Sequence, residues 1–373
     1  MSKARTIYEV RFLGFMQRRD FLRGSGVLGT SALVSSMLPR AVSASEKGAM
    51  KETGKASAGE QAPTSARRRP IQIRMGGYGP STTGFSLALK RIGDRLEAKF
   101  GGDVEVKYVY NIMDLGYRGE DILWLVEDGV LTLGYQSSSY LTDRVPELGM
   151  ADLPFIFDSN EKARAAMDGK LGQILTGKIE ERMNYRIAGY FENGFRQISN
   201  RLRPVRVPAD MKDMRIRVLP SKIQERTFAL LGAKPLIMDL TEAIAGVKAG
   251  TLDAQENPFF NTVTYGVHKY HHFHTVTNHF YLSRPIFIHR TSFDAWPKEL
   301  QTEMMAAVQD AVAFQRDLHV KEEEDAAVAI RKEGGEIIEL TAQEHDAFVS
   351  AVKPLYGEAH DLYSREMLAL VGL

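Results

Sequence analysis

Two arginines stand at alternate positions of one short apolar run, Met214-Arg215-Ile216-Arg217-Val218-Leu219-Pro220. Period-two alternation reads as a strand, with both guanidiniums on one face and Met214, Ile216 and Val218 on the other. Arg217 lies nearer the C-terminal end of that strand, the end at which open α/β sheets bind ligands. A guanidinium buried there needs an anion, and its planar fork presents two parallel N–H donors to a carboxylate. The anion is either a bound acid or an internal Asp or Glu, and these residues alone leave both open. Two more segments place an amide or a guanidinium beside a turn residue at the end of an element: Glu192-Asn193-Gly194-Phe195-Arg196-Gln197 and Gln255-Glu256-Asn257-Pro258.

Other chemistries find less support. His268, His271, His272, His274, His279 and His289 cluster in the sequence, and on a strand His272 and His274 would share a face with Tyr270. A zinc site normally adds a carboxylate or a spacing signature. Neither is evident, so a hydrogen-bonded structural cluster is the better reading. There is no cysteine, which excludes disulfides, thiolate metal sites and a cysteine nucleophile. No phosphate loop, dinucleotide GxGxxG, GxSxG elbow or HExxH motif occurs. Gly76-Gly77-Tyr78-Gly79 is glycine-rich after a strand; it is either a loop where backbone approaches a ligand or a plain turn.

The elements that would position these residues alternate. Strand patterns at 71–75, 104–110 and 129–134 enclose helical patterns at 85–100 and 119–128. The rhythm returns with strands at 186–191, 214–219, 236–238 and 285–289, and with helices at 221–231 and 241–248, the last ending at Gly250 as C-cap. Two α/β units of similar size are predicted. After Pro297, as far as Glu333, there is no Gly or Pro, and Trp296, Leu300, Met304, Val308, Ala311 and Leu318 recur at helical steps. A continuous helix there is about 55 Å long and must lie across more than one lobe; a kinked pair of helices is the alternative.

The chain of 373 residues has a net charge of +1, unevenly spread. Residues 1–44 carry seven basic and two acidic groups and residues 45–69 carry six and three, which leaves 70–373 at −7. A body of that charge is a poor nucleic-acid binder. Gln17-Arg18-Arg19-Asp20-Phe21-Leu22, a mild apolar stretch to Leu38 and Ala41-Val42-Ser43-Ala44 read as an export signal of twin-arginine type over 1–44. Residues 45–69 contain no Val, Ile, Leu, Phe, Tyr or Trp and read as a disordered spacer.

Taken in order, five segments resemble the periplasmic solute-binding proteins of TRAP transporters, the DctP family. They are Val145-Pro146-Glu147-Leu148 through Asp152-Leu153-Pro154-Phe155-Ile156-Phe157, Glu192–Arg196, Met211–Val218, Leu231-Gly232-Ala233-Lys234-Pro235 and Gly250–Pro258. The resemblance implies a two-lobed α/β fold with hinge strands and the long helix under both lobes. Lobe I would comprise 70–192 with 282–322, and lobe II 193–281 with 323–373. It implies a periplasmic protein without catalysis that captures an organic acid anion and delivers it to TRAP permease membrane subunits. Arg217 matches the family's carboxylate-clamping arginine, Arg196 the arginine of its G-x-R segment and Asn257 the asparagine of its ENP segment. The chain departs from the family at Tyr110–Gly116, at Leu219 before Pro220 and in the loop Tyr78–Thr83, all of which bear on ligand identity. The metal-bridging keto-acid branch has a Trp-x-x-Gly-Gln-like segment that is missing here, so no metal or other cofactor is expected. An exported enzyme and a ligand-sensing receptor subunit are the competing functions, and the oligomeric state is left open.

The address is directly testable. Arg18→Lys with Arg19→Lys conserves charge and removes the guanidinium geometry. The precursor should then remain in the cytoplasm on cell fractionation, and normal export would refute the twin-arginine reading.

Overall fold

In the computed structural model the chain is described over residues 69–373. The expected export signal, and the expected spacer up to residue 68, lie outside the described residues. Two sheets are present. The first has the order β2-β1-β3-β10-β4, from β1 (Ile71–Gly76), β2 (Val104–Val109), β3 (Leu133–Tyr135), β4 (Tyr185–Phe195) and β10 (Tyr281–His289). Strand β1 runs parallel to β2 and β3, while β10 runs antiparallel to β3 and β4. The second has the order β11-β9-β5-β8-β6-β7, from β5 (Gln197–Asn200), β6 (Arg215–Val218), β7 (Lys234–Ile237), β8 (Ala254–Asn257), β9 (Phe273–Val276) and β11 (Glu336–Glu339).

The chain crosses from one sheet to the other at sharply defined points. Strand β4 stays in the first sheet through Phe195, a single residue follows, and β5 begins in the second. The return passes through Thr277–Phe280, between β9 and β10. The two crossings touch, because the Arg196 amide donates to the Phe280 carbonyl at 2.8 Å. The third connection is the helix Lys298–Lys332, which is continuous over 35 residues. At 1.5 Å per residue it is about 52 Å long, and of the two arrangements open at the outset the unbroken one is realised. Its buried stripe, including Leu300, Met304, Ala307, Val308 and Ala311, packs under β4 and the helix Gly84–Phe100. Farther along, neighbouring carboxylates reach both lobes. Glu322 accepts from the Gly84 amide at 2.6 Å, and Glu323 accepts from the Phe259 and Phe260 amides at 3.1 and 3.0 Å. Each caps the first turn of a helix whose free N–H groups need an acceptor.

Several predicted elements shift. The strand expected at 129–134 forms only over Leu133–Tyr135, because Gly129 adopts a left-handed φ of 73° and turns the chain first. The helix expected at 119–128 is a 3₁₀ turn at Gly119–Asp121 followed by Ile122–Glu127. Gly250 does cap its helix with φ 70°. Strands β5, β8, β9 and β11 were not read from the sequence. Each is four residues long, and β5 and β8 bury polar residues on both faces, so no apolar alternation marks them.

Gly194 marks the crossing. Its φ is +81°, a region that L side chains rarely adopt, and a Cβ there would overlap Nε2 of the buried His319 on the long helix. Gly194→Ala therefore combines backbone strain of about 1–3 kcal/mol with a steric clash. The variant should lose at least that much stability in urea denaturation. An unchanged midpoint would show that the crossing tolerates a side chain.

Candidate functional site

The three residues singled out from the sequence line one cavity between the sheets. Arg217 comes from β6, Arg196 from the crossing and Asn257 from the end of β8, joined by Tyr78, Gln136, Ser137, Tyr140, Asn193, Leu219, Leu240, Tyr265 and Arg284. The space between these side chains is ≈ 270 Å³, part of it open to solvent.

Arg217 is 2% exposed and sits one residue from the C-terminal end of β6. Its Nε donates to the Met238 carbonyl at 3.0 Å and its Nη2 to the Tyr140 hydroxyl at 2.8 Å. Burial pushes the Tyr140 hydroxyl up to about 12, with Arg217 acting the other way, so the phenol stays neutral. Among the described residues no carboxylate lies within ion-pair distance of Arg217. Arg215, two residues earlier, is different. It faces outward and grips Asp253 with two bonds of 2.8 and 2.7 Å. That pair, joined by Arg201, holds the Asp253 carboxyl far below the usual range.

Arg196 is committed internally. It is 1% exposed, and its Nε and Nη2 bind the Glu256 carboxylate while Nη2 also reaches the Glu256 carbonyl at 2.6 Å. His279 completes the cluster at 3.3 Å from Glu256. Burial alone would raise the Glu256 carboxyl; Arg196 and His279 hold it below its ordinary value. Of the two kinds of anion left open by the sequence, Arg196 thus has the internal one, whereas Arg217 has none within the fold. Asn257 donates to the Gln255 side-chain carbonyl, and Gln255 in turn donates to Ser199 at 2.8 Å and Thr262 at 3.1 Å.

The glycine loop approaches the cavity. The Gly77 amide donates to the Val109 carbonyl and the Gly79 amide to that of Tyr110, which delivers Tyr78 into the cavity wall. A Cβ on Gly77 would lie 2.7 Å from the Tyr135 hydroxyl and 2.8 Å from the Tyr110 carbonyl, so the loop needs glycine to fit.

The histidines do not lie along one strand. His268 lies in the 3₁₀ turn Val267–Lys269, His272 precedes β9, and only His274 is in the strand. His271 bonds Ser199 at 3.0 Å and His274 reaches the His271 carbonyl at 3.0 Å. Burial drives them down to about 3 and about 4, so both are neutral. Among the described residues no group of three or more His, Asp or Glu is placed to hold a metal ion.

Two participants were not read from the sequence. Tyr140 comes from the 3₁₀ turn Ser138–Leu141, a segment with no periodic signal. Arg284 is 4% exposed in the middle of β10, among Leu282, Pro285 and Ile286. A lone charge inside so apolar a run was a legible signal, since Arg is almost never buried without a partner.

With this geometry in view, the comparisons are decisive. The family described as bacterial extracellular solute-binding protein, family 7 (DctP), matches residues 75–361. The chain belongs to this family. An uncharacterized protein of Haemophilus influenzae is 31% identical over 74% of this chain and 83% of its own. The C4-dicarboxylate-binding periplasmic protein DctP of Rhodobacter capsulatus is 28% identical, over 82% and 91%. A TRAP periplasmic solute-binding protein of Polaromonas, solved with D-erythronate, superposes with a TM-score of 0.76 at 23% identity, over 81% of this chain and 99% of its own. The resemblance and the two-lobed α/β fold read from the sequence are both met. The family is periplasmic and binds solutes for transport. Among the described residues no helix is long and apolar enough to cross a membrane.

A buried acid supports the arginine from behind. Asp152 is 0% exposed and accepts from Ser139 at 2.7 Å; Gln224 donates to the same Ser139, and its side-chain carbonyl accepts from the Leu219 amide. This chain of bonds ties the turn that carries Tyr140 to the residues just after Arg217. Burial raises Asp152 to about 6, partly offset by Ser221, Ser139 and Gln224. A carboxyl raised in the fold contributes stability that is complete below its unfolded value near 4 and lost as pH rises through about 6. Asp152→Asn should remove this dependence. From pH 4 to pH 7.5 the wild type should lose up to about 3 kcal/mol relative to the variant. Parallel stability curves in denaturant titrations at the two pH values would show that burial does not raise Asp152.

Proposed function

We propose that the protein is the extracytoplasmic receptor of a TRAP transporter. It captures an organic acid anion between the lobes and delivers it to membrane permease subunits, without catalysing a reaction. The observation that carries the reading is Arg217: a guanidinium 2% exposed, aimed into the interlobe cavity, with two donors bonded to neutral oxygens and no carboxylate of the fold within ion-pair distance. A buried charge of this kind is costly until an anion reaches it. The names of the relatives support the class, since C4-dicarboxylate is bound by the Rhodobacter protein and D-erythronate by that of Polaromonas, and both carry carboxylates.

In this reading Arg217 clamps the carboxylate, and Tyr140 and the Met238 carbonyl hold the guanidinium plane for it. Asn257, oriented by Gln255, bonds a second oxygen of the ligand. Arg196 acts mainly through Glu256, with only Nη1 left for the cavity. Closure of the lobes removes water and strengthens the ion pair by lowering the local dielectric.

Calorimetric titration with the acid that co-purifies from the periplasm, identified by native mass spectrometry, ranks the arginines. Arg217→Lys keeps the charge but cannot offer two parallel donors, and affinity should fall roughly a hundredfold or more. Arg215→Lys should change affinity by less than about threefold, because Arg215 is bonded to Asp253 and does not line the cavity. Arg196→Lys should appear mainly as lost stability, of about 3–5 kcal/mol, since it breaks a buried pair. Greater damage from Arg215→Lys than from Arg217→Lys would overturn the assignment of the clamp.

A further inference from the structure

Arg284 faces the same cavity as Arg217 from the other sheet. It lies on β10, in register with Phe191 of β4, whereas Arg217 lies on β6. Its guanidinium is stacked among aromatic rings, 4.1 Å from the centre of Phe85, 5.0 Å from Tyr78 and 5.8 Å from Tyr135. Such stacking holds the plane and leaves the edge to do the bonding. That edge is poorly used. Nη2 has a long bond of 3.4 Å to the Asn261 side-chain carbonyl, the Tyr265 hydroxyl is a second neutral partner, and Nε is buried with no partner. Tyr265, also in the cavity wall, is held by Asn261 at 2.9 Å.

The acids around Arg284 are engaged elsewhere. Glu192, adjacent to its strand partner, is bound bidentately by Arg164 at 2.5 and 2.7 Å and accepts from Tyr281. Glu322, raised by burial with the Arg284 charge acting the other way, accepts from the Gly84 amide through one oxygen, leaves Oε2 unbonded and is not within ion-pair distance of Arg284. On the other side of the cavity Asp239 caps its own helix at Thr241 and accepts from the Glu120 amide. Glu256 is taken by Arg196. The cavity wall therefore carries two guanidiniums, one from each lobe, that are not matched by a carboxylate of the fold.

We infer that Arg284 is a second anion-reading residue, and that it selects acids bearing two anionic groups, one for each lobe. This rests on the organic-acid reading above and narrows it. A diacid bridging Arg217 and Arg284 neutralises both buried charges and cancels their repulsion across the closed cleft. A monoacid leaves one guanidinium buried and unpaired, which is the costly arrangement.

The test uses matched probes of equal length: succinate against succinamate, glutarate against glutaramate, and galactarate against its monoamide. Calorimetry on the wild type should show the diacid of at least one pair binding about a hundredfold tighter than its monoacid. Arg284→Met should abolish that preference, weakening the diacid at least about tenfold more than the monoacid. Arg284→Lys, which keeps the charge, should retain part of it. The wild-type comparison stands even where the methionine variant fails to fold. Monoacids binding as well as diacids in every pair would overturn the role of Arg284 and leave the acid reading intact. Binding of no acid from any pair would overturn both.

Discussion

A guanidinium at the one residue between two sheets has to be given a counter-charge before either sheet can be completed. Arg196 occupies that position, and Glu256 at the end of β8 supplies the charge through the side chain and the main-chain carbonyl together. His279 and Phe280 on the return crossing bind the same cluster, through Glu256 and the Arg196 amide. Both strands that pass between the lobes are thus referred to one ion pair. A buried pair adds little net stability, because desolvation offsets the attraction, but breaking it is expensive. Its consequence here is alignment: Asn257 follows Glu256 directly, and the crossing sets where β6 and its arginine lie against β10.

The rest of the site is built by committing almost every charge to a partner inside the fold. Arg215 and Arg201 have Asp253, Arg164 has Glu192, and Arg196 has Glu256. The buried His271 and His274 are neutral and bonded. Against this background Arg217 and Arg284 stand out by their neutral partners. The long helix contributes at a distance, since Glu322 caps the helix that follows the Tyr78 loop and Glu323 caps the one that follows Asn257. One rigid element thereby references a cavity-lining segment on each side, through Tyr78 and Asn257.

Much was legible in the amino-acid order. Alternation placed Arg215 and Arg217 on a common strand face, and the Gly- and Pro-free stretch after residue 297 specified the long helix, because both patterns are local and periodic. Five ordered segments carried the family and, with it, the two lobes. Sequence could not divide the arginines into structural and available ones. Arg196 and Arg217 each sit at the end of an apolar strand, and the difference between them lies wholly in Glu256, sixty residues from Arg196 and meeting it only through sheet pairing. The same limit hid Tyr140, whereas Arg284 was marked by its place in an apolar run and only its lack of a carboxylate partner needed the fold. Ion pairing is a property of position in space, and here it was decided by the register of β5 on β8 and by the crossing of β10 past β4.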